Sequence, residues 1–323
     1  MNSRELVVVK YKEEYETVWD DFVNNGIFGT VHHTRAFMNY HPSNRFMDHS
    51  ILIYYKQELI CVVPACKRHA TDVCYFSYLG ATYGGPVFSN KYCATKYLLP
   101  IIDVMLDHYE NKIEFRLANN IYFKEDIFIL YCILGNRLTM IPELSWYVNT
   151  NEDFINNITN KRNKSNLIKI IKNTEIHCEK KSELDDYMNF YTMLNDGLNA
   201  RHDTTPTHTR EEFIHLSNIL QDKQALYLVK QNNDMILGGV YVIKVTSQCW
   251  YTFYISKNIH TDNHAAILYL MYTIHADAKK EGVPLLDYGI TTENRGKNIN
   301  IGLADFKQNS LGGTSNARYL FVR

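Results

Sequence analysis

The sequence predicts a mixed α/β protein made of two consecutive domains. The chain has 323 residues, which exceeds one ordinary domain, and its hydrophobic content of 46% is ample for packed cores. Hydrophobic periodicity alternates along the chain between strand and amphipathic-helix spacing. The same order of elements then occurs twice: strand, two helices, three strands, helix, strand, a helix in one half only, and strand. Each half is therefore expected to form one α/β unit with a mixed sheet.

In the first half, four aromatic or aliphatic residues of segment 12–24 recur at helical spacing, and residues 98–109 carry a clean apolar stripe with Pro100 near its start. Alternating or continuous apolar runs mark the strands, and a tight turn at 56–58 joins two of them. The predicted strands are 6–10, 50–55, 59–67, 73–79, 113–117 and 127–134, and the predicted helices are 12–24, 34–41 and 91–109.

In the second half, Thr209 and Glu212 have the spacing of a capping box, which places a helix start there. The predicted helices are 152–172, 182–198, 211–220, 264–280 and 298–308, and the predicted strands are 175–178, 225–230, 235–245, 248–255, 284–288 and 316–322. A polar segment around residues 149–151 separates the halves. We therefore expect an N-terminal domain of residues 1–149 and a C-terminal domain of residues 150–323.

Composition argues against several classes of protein. The net charge is −1, so the chain has no overall basic excess of the kind that marks nucleic-acid binders. The chain has seven cysteines, and this odd number argues against a disulfide framework. No two of them form a CxxC pair, which argues against a zinc site. The histidines have no metal-ligand spacing, and no GxSxG nucleophile elbow occurs. No signal peptide or membrane-spanning segment is recognisable, so a cytoplasmic location is expected.

Residues 263–313 carry an ordered series of short motifs. These are HAAILYLMYTIHADA, a strand ending in DYG, a TxEN turn and GLADFKxxxxGG. The series resembles the C-terminal signature of the FemAB/FemX-like transferases, the branch of the GNAT acyltransferase superfamily that builds the interpeptide bridges of bacterial peptidoglycan. The resemblance implies two tandem GNAT-like domains packed around a cleft, with the acceptor side in the first and the catalytic donor side in the second.

The same resemblance assigns catalysis to Phe306 and Lys307. In the family, this pair faces the reaction cleft, and the lysine stabilises negative charge at the transferring ester. A fixed ammonium beside a developing oxyanion lowers an acyl-transfer barrier. The competing interpretation is a solvated lysine on a short surface helix. The two glycines at 312 and 313 are expected to permit a sharp turn into the last strand.

Substrate-binding candidates lie in both halves. Tyr83, Gly84 and Gly85 resemble the segment that lines the family's acceptor groove, although a tight turn at a sheet end explains them equally well. Arg35 is a candidate for a phosphate contact, with a helix-surface role as the alternative. The acidic residue that commonly follows this segment in the family is absent, as is the lysine that follows the aromatic residue of the second helix. These departures leave open an acceptor other than the standard peptidoglycan precursor.

In the second half, Lys161 and Arg162 belong to the densest basic run. They are candidates for contacts with acceptor phosphates or a tRNA acceptor stem, with a solvated helix face as the alternative. Glu293 and Asn294 are expected at a strand end, where ligands of α/β proteins often bind, although a structural turn is an equal alternative. Tyr254 and His264 complete the candidates for substrate binding.

The loop at residues 256–263 bears on the acyl donor. GNAT enzymes that use acyl-CoA hold the pyrophosphate on a glycine-rich loop at this position, with backbone N–H groups and a helix N-terminus. This loop has no glycine, and Asp262 adds a negative charge. We therefore expect aminoacyl-tRNA, rather than acyl-CoA, as the donor co-substrate, with no separate cofactor and no metal.

The sequence thus predicts a FemX-like acyl- or aminoacyltransferase that forms an amide bond on an amine of a cell-envelope precursor. It identifies no base for the acceptor amine. One alternative is an acyl-CoA-dependent N-acyltransferase that acts on a nucleotide sugar or small amine. A second alternative is a non-catalytic pseudo-enzyme that binds a ligand.

Overall fold

The structure is a computed structural model that describes residues 1–42, 45–232, 235–261, 263 and 265–323. The chain divides into two compact units, one of Met1–Glu143 with Ala317–Arg323 and the other of Leu144–Asn316. The sequence-based boundary after residue 149 lies six residues beyond this division. The last seven residues, which we assigned to the second domain, belong to the first unit.

The chain begins with strands and short helices that build the first unit. Its strands are β1 Leu6–Lys10, β2 Met47–Asp48, β3 Ile51–Tyr55, β4 Glu58–Val63, β5 Cys66–Lys67, β6 Tyr75–Phe76, β7 Val87–Phe88, β8 Ile113–Arg116 and β9 Thr139–Asn149, which continues into the second unit. Its helices are α1 Glu16–Asn25, α2 Arg35–Met38, α3 Thr95–His108 and α4 Phe128–Gly135, with 3₁₀ turns at Ser3–Glu5, Glu13–Tyr15, Val31–His33, Asn90–Tyr92 and Asn120–Tyr122.

The second unit contains the longer strands and helices. Its strands are β10 Ile176–Lys181, β11 Gln224–Gln231, β12 Ile236–Lys244, β13 Cys249–Lys257, β14 Leu285–Ile290, β15 Thr292–Glu293, β16 Asn298–Ile299 and β17 Thr314–Val322, whose later residues return to the first unit. Its helices are α5 Phe154–Asn157, α6 Lys161–Ile171, α7 Leu184–His202, α8 Arg210–Leu220, α9 Ala266–Lys280 and α10 Ile301–Asp305, with a 3₁₀ turn at Gln221–Lys223 and a π-helical turn at Phe306–Ser310.

In the first unit, β1, β3, β4 and β7 form an antiparallel sheet in that order. Lys56 and Gln57 both have positive φ between β3 and β4, as a two-residue hairpin turn requires. Strands β2, β5, β6 and β8 are hydrogen-bonded in that order, and only the pair β6 and β8 is parallel. Leu320 and Phe321 of β17 lie opposite Arg116 and Phe115 of β8. The apolar stripe of α3 is buried in this unit's core. This arrangement confirms the α/β prediction with mixed sheets.

In the second unit, the strand order is β10, β11, β12, β13, β14 and β9. All neighbouring pairs are antiparallel except β13 and β14, which run parallel because α9 connects them. The buried face of α9 packs into this unit's core. At α8, the Thr209 side chain accepts the Glu212 N–H, and the Glu212 carboxylate accepts the Thr209 N–H, which confirms the predicted capping box.

Several element predictions are wrong. Residues 127–134 form helix α4 rather than a strand, because a continuous apolar run has no period that separates a buried helix from a buried strand. An Asp126 carboxylate oxygen accepts the Phe128 N–H (2.8 Å) where this helix begins. The predicted strand at 73–79 is reduced to β6. Strand β9 was missed because Pro142 and polar residues interrupt its apolar pattern.

Two predicted helices are divided. The helix predicted at 152–172 is α5 and α6, because Asn160 begins a new helix by accepting the Asn163 N–H with its side chain (3.1 Å). The helix predicted at 298–308 starts at Ile301, after β16, and ends in the π-helical turn. This second correction matters for function, since the turn contains both predicted catalytic residues.

Candidate functional site

Strands β13 and β14 separate partway along their length. They pair only where Cys249–Tyr251 lies beside Leu285–Asp287, although β13 continues to Lys257 and β14 to Ile290. The Thr252 hydroxyl donates to the Asp287 carbonyl (3.0 Å) at the point of separation. We call this point the strand fork. Beyond it, β13 and β14 are no longer hydrogen-bonded to each other, so the sheet is open there.

The backbone of β14 bends immediately after the fork. Gly289 has φ +75°, and its N–H donates to a carboxylate oxygen of buried Asp287 (2.6 Å). The pairing of β14 with β9 shifts register at the same place. A Cβ at residue 289 would lie 3.1 Å from the Tyr251 ring, so both the positive φ and the close ring favour glycine. The DYG segment thus forms a fixed bend rather than a regular strand end.

Lys307 lies against this bend. Its side chain is 5% exposed, and its ammonium donates to the carbonyls of Ile290 (2.9 Å) and Gly289 (3.2 Å). The alternative of a solvated surface lysine is therefore wrong. A buried ammonium held by backbone carbonyls keeps a fixed position, which is the property that stabilisation of developing negative charge requires.

The π-helical turn at Phe306–Ser310 positions this lysine. The Gly313 N–H donates to the Lys307 carbonyl (2.9 Å), and a Cβ at residue 313 would lie 2.7 Å from that oxygen. Gly312 has φ +65°, and a Cβ there would lie 2.5 Å from the Asn157 Cβ. Both glycines are thus needed for close backbone approach. Phe306 is half-buried against the core of this unit. Single π-helical turns occur frequently at functional sites.

The basic start of α6 docks on the same turn. The N–H groups of Thr159 and Asn160 donate to the Asn309 carbonyl (3.1 and 3.0 Å), and the Asn163 side chain donates to the Ser310 hydroxyl (2.7 Å). Lys161 and Arg162 are exposed in the first turn of this helix. The structure therefore brings two predicted cationic residues close in space to the segment that carries Lys307, which sequence reasoning had treated separately.

Tyr254 lies on β13 beyond the fork. Its hydroxyl hydrogen-bonds the His208 Nδ1 (2.5 Å), and burial raises the pKa of the phenol, so it stays protonated at neutral pH. His208 itself is buried in the connection between α7 and α8. Tyr251 and Asp287 are the fork residues that sequence reasoning missed. The cluster of aromatic residues on β13 and the acidic residue of the DYG motif were the available signals.

The remaining candidates of the second unit lie in a surface hairpin or outside the described residues. Glu293 and Asn294 are exposed at the turn between β15 and β16, where Asn294 has φ +50°. The Asn300 amide donates to the Glu293 carboxylate (2.9 Å) and closes this hairpin. These contacts fit the alternative of a structural turn. His264 lies outside the described residues.

In the first unit, Tyr83 is buried in a polar cluster. Its hydroxyl hydrogen-bonds His32 Nδ1 (2.7 Å) and donates to the Thr30 hydroxyl (3.2 Å), which in turn hydrogen-bonds His33 Nδ1 (2.9 Å). Burial lowers the pKa of His33 to about 4 and holds the pKa of His32 well below its ordinary value, so both imidazoles are neutral near pH 7. The substrate-binding role of Tyr83 stays a prediction, since its contacts here are within the protein.

Gly84 and Gly85 permit close packing beside this cluster. The Gly84 N–H donates to the Arg116 carbonyl (2.8 Å), and a Cβ at residue 84 would lie 2.3 Å from the Ser77 carbonyl oxygen. Gly85 has φ +122°, and a Cβ there would lie 2.5 Å from the Leu117 side chain. Both glycines are buried, so the geometry accounts for them structurally.

Arg35 is fully buried rather than a helix-surface residue. Its guanidinium lies 3.3 Å from the centre of the Tyr11 ring and 4.0 Å from that of Trp19, and Nη1 donates to the Asp48 carboxylate. Its backbone N–H donates to Asp20, whose pKa is raised by burial. The charge of Arg35 is thus paired inside the protein, which leaves it poorly placed for the predicted phosphate contact.

The loop after β13 forms hydrogen bonds within itself and with β12. The Asn258 N–H donates to the Leu237 carbonyl (3.0 Å), the His260 N–H to the Asn258 side chain (2.9 Å) and the Thr261 N–H to the Asn258 carbonyl (3.4 Å). These three N–H groups already have acceptors within the protein. They do not form the open row of N–H groups that holds a pyrophosphate.

Within the described ranges, no group of three or more His, Cys, Asp or Glu residues is arranged to hold a metal ion. Over the same residues, no helix is both long and apolar enough to span a bilayer. All seven cysteines are free thiols, with Cys61, Cys66 and Cys249 buried and Cys132 exposed.

Comparison with known proteins identifies the fold. No protein-family model and no curated protein sequence matches the chain. Among solved structures, FemX superposes with a TM-score of 0.69 at 12% identity, covering 98% of this chain and 97% of FemX. L-PGS from Bacillus licheniformis gives 0.62 at 12% identity over 97% and 92% of the two chains. A tandem GNAT protein from the clavulanic acid biosynthesis pathway gives 0.53 at 9% identity over 98% and 97%. The chain therefore has two GNAT-like domains.

Proposed function

We propose that this chain is a FemX-like acyl- or aminoacyltransferase that forms an amide bond on an amine of a cell-envelope precursor. The observation that carries the proposal is the buried ammonium of Lys307, fixed on the carbonyls of Gly289 and Ile290 at the strand fork. The shared fold with FemX supports the class of reaction, and the motif series at residues 263–313 supports it independently.

The proposed reaction is aminolysis of an ester. The neutral acceptor amine attacks the donor's carbonyl carbon, and negative charge develops on the carbonyl oxygen. Lys307 stabilises that charge, and its fixed position costs no reorganisation during the reaction. A C–N bond forms, the ester C–O bond breaks, and a proton from the amine ends on the released hydroxyl. The remainder of the rate acceleration comes from holding amine and ester together.

We further propose aminoacyl-tRNA as the donor. In this loop after β13, the N–H groups of Asn258, His260 and Thr261 are used in internal hydrogen bonds, which disfavours a coenzyme A pyrophosphate. Lys161 and Arg162 project from a helix start that docks on the Lys307 turn, and exposed cations at that position suit the phosphates of an acceptor stem. The net charge of −1 does not oppose this, because phosphate contacts depend on a local group of cations.

The central test compares Lys307→Gln and Lys307→Met with the exposed-lysine control Lys280→Gln. The assay measures transfer of labelled amino acid from total aminoacyl-tRNA to amine-bearing envelope precursors. Loss of one charged donor to the transition state is worth about 10²–10³ in rate, so both Lys307 variants should lose kcat with little change in KM. Glutamine retains a hydrogen-bond donor without the charge, so full activity in Lys307→Gln contradicts the proposed role.

The donor assignment has its own test. Lys161→Ala combined with Arg162→Ala should weaken aminoacyl-tRNA binding and reduce its salt dependence, because phosphate contacts release counterions. Lys279→Ala with Lys280→Ala removes the same charge from the last turn of α9 and serves as control. Micromolar acetyl-CoA affinity by calorimetry, lost on mutation of residues 256–261, would instead favour the acyl-CoA-dependent alternative.

A further inference from the structure

Strands β15 and β16 form a two-stranded sheet of their own in the second unit. At the tip between them, Asn294, Arg295 and Gly296 all have positive φ. The chain then passes from β16 directly into α10. Every residue from 293 to 303 is exposed except Gly296 and Asn300, which are partly buried. The hairpin and the start of α10 thus form one continuous exposed segment.

Three aliphatic side chains lie at the end of this segment. They are Ile299, Ile301 and Leu303, which are 54%, 78% and 39% exposed, and we call them the aliphatic patch. Because all three fall within five consecutive residues, their exposed surfaces lie close together. The inward side of α10 is already occupied, since Ala304 and Phe306 pack against the core of this unit. The fold therefore does not need the patch, and grouped apolar side chains in an exposed position mark interaction surfaces.

Hydrogen bonds hold the backbone that carries the patch. The Asn300 side chain accepts the Leu303 N–H (3.0 Å) at the start of α10, and its amide donates to the Glu293 carboxylate (2.9 Å) in the hairpin. At the other end of α10, the Asp305 carboxylate accepts from the Asn309 amide (2.7 Å). The side chains of the patch can therefore be replaced without removing the contacts that shape the segment.

Cations lie at both ends of the patch. At the hairpin tip, Arg295 and Lys297 are exposed, and the one carboxylate of the hairpin, that of Glu293, accepts the hydrogen bond from Asn300. At the other end, the start of α6 docks on the π-helical turn that follows α10. Residues 154–174, which include α6, contain five lysine and arginine residues and no acidic residue. An anionic surface therefore complements the surroundings of the patch.

These features favour a lipid surface over a protein or an RNA. Residues 293–303 contain neither an aromatic residue nor a methionine, which are the side chains enriched in protein interfaces, and so offer no ring on which a base could stack. A protein partner would need a concave site that matches the exposed segment. A bilayer needs no such site, because aliphatic side chains enter the boundary between headgroups and acyl chains while adjacent cations attract anionic lipids.

We infer that the aliphatic patch docks the second unit on an anionic lipid surface. This docking is separate from the proposed function, because it concerns where the chain is held and not which bond it forms. Neither Lys307 nor an acyl donor takes part in it.

The test measures sedimentation of the full chain with phosphatidylcholine vesicles, with and without phosphatidylserine, and involves no transfer reaction. Wild-type protein should bind the mixed vesicles. Ile301→Ser should bind them about tenfold more weakly, because burial of an isoleucine side chain is worth about this factor or more. Val73→Ser is the matched control and should bind as the wild type does, since Val73 is an aliphatic residue of the first unit with 71% exposure.

A second pair of variants tests the charge. Arg295→Gln with Lys297→Gln should weaken binding to the mixed vesicles about 30-fold, since each cation near an anionic surface contributes about fivefold. Binding to phosphatidylcholine alone should not change, and added salt should remove the difference between variant and wild type. Lys279→Gln with Lys280→Gln removes the same charge from the last turn of α9 and serves as the control.

Tryptophan fluorescence locates the contact. All three native tryptophans, Trp19, Trp146 and Trp250, are buried, so Ile301→Trp adds an exposed indole. Lipids that are brominated on their acyl chains should quench this indole and leave that of Val73→Trp unquenched.

Four results overturn the inference: no sedimentation with the mixed vesicles, equal binding with and without phosphatidylserine, equal loss of binding in Ile301→Ser and Val73→Ser, or vesicle binding that is unchanged in Ile301→Ser while aminoacyl-tRNA binding is lost, which assigns the patch to RNA. The proposed function fails separately. Vesicle binding without transfer activity leaves the docking surface intact, whereas transfer activity without vesicle binding rejects the docking surface alone.

Discussion

Replacement of Asp287 by alanine should destabilise the second unit and displace Lys307. The carboxylate accepts the Gly289 N–H at 2.6 Å, a short charge-assisted bond in a buried position. Its loss leaves a buried donor unpaired, and hydrogen bonds to charged groups are worth about 1.5–3 kcal/mol. The same bond holds Gly289 in its bend, and the bend presents the carbonyls of Gly289 and Ile290 to the Lys307 ammonium. The free energy of unfolding should therefore fall by about 1.5–3 kcal/mol, and kcat should fall as well.

Asp287→Asn is the matched control. Its amide oxygen can still accept the Gly289 N–H, as a neutral bond worth about 0.5–1.5 kcal/mol, so it should recover roughly a third to a half of the lost stability and part of the lost kcat. Denaturant unfolding measures stability, and the transfer assay measures kcat and KM. A structural role alone would lower stability without a selective effect on kcat in the remaining folded enzyme.

Equal behaviour of Asp287→Ala and Asp287→Asn would refute the reasoning, because it would show that the acceptor oxygen is not what holds the bend. Wild-type stability in Asp287→Ala would refute it as well. A stable but inactive Asp287→Asn would instead assign a direct role to the carboxylate charge.

Two further predictions concern the first unit. Burial lowers the pKa of His33 from 6.5 to about 4, so the unfolded chain binds this proton before the folded chain does. The stabilising contribution is therefore complete above about pH 6.5 and is lost as the pH falls toward 4, by up to about 1.4 kcal/mol per pH unit. Unfolding measured from pH 7 to pH 5 should show this slope, and His33→Gln should reduce it; an identical slope in both proteins contradicts a neutral buried imidazole. Gly84→Ala should cost about 1–3 kcal/mol, because its Cβ would lie 2.3 Å from the Ser77 carbonyl oxygen, whereas Gly302→Ala, with its nearest atom at 3.9 Å, should be near neutral. Equal stability of the two alanine variants in the same experiment contradicts the close approach at residue 84.

Periodicity predicted the regular elements well because it records which face of an element is buried. The strand at Leu6–Lys10 and the helix whose buried stripe includes Leu98 and Met105 were both predicted. Periodicity gave the wrong element at Phe128–Gly135, because a uniformly apolar run has no polar positions whose spacing would distinguish a helix from a strand. It failed again at Thr139–Asn149, where proline and polar side chains obscure a strand whose pairing comes from segments distant in sequence.

The sequence alone predicted the α/β class, and its resemblance to a known family made Phe306 and Lys307 candidates. Only the tertiary structure decided how Lys307 is held. Its partners are backbone carbonyls 17 and 18 residues earlier, and any residue type supplies a carbonyl, so no sequence pattern marks them. The same reason explains Arg35 and Asp48, whose pairing was not apparent from their separation of 13 residues. Secondary-structure preferences depend on residues that are neighbours in the sequence. The bend at Gly289 and the buried guanidinium of Arg35 form only when segments distant in the sequence pack together.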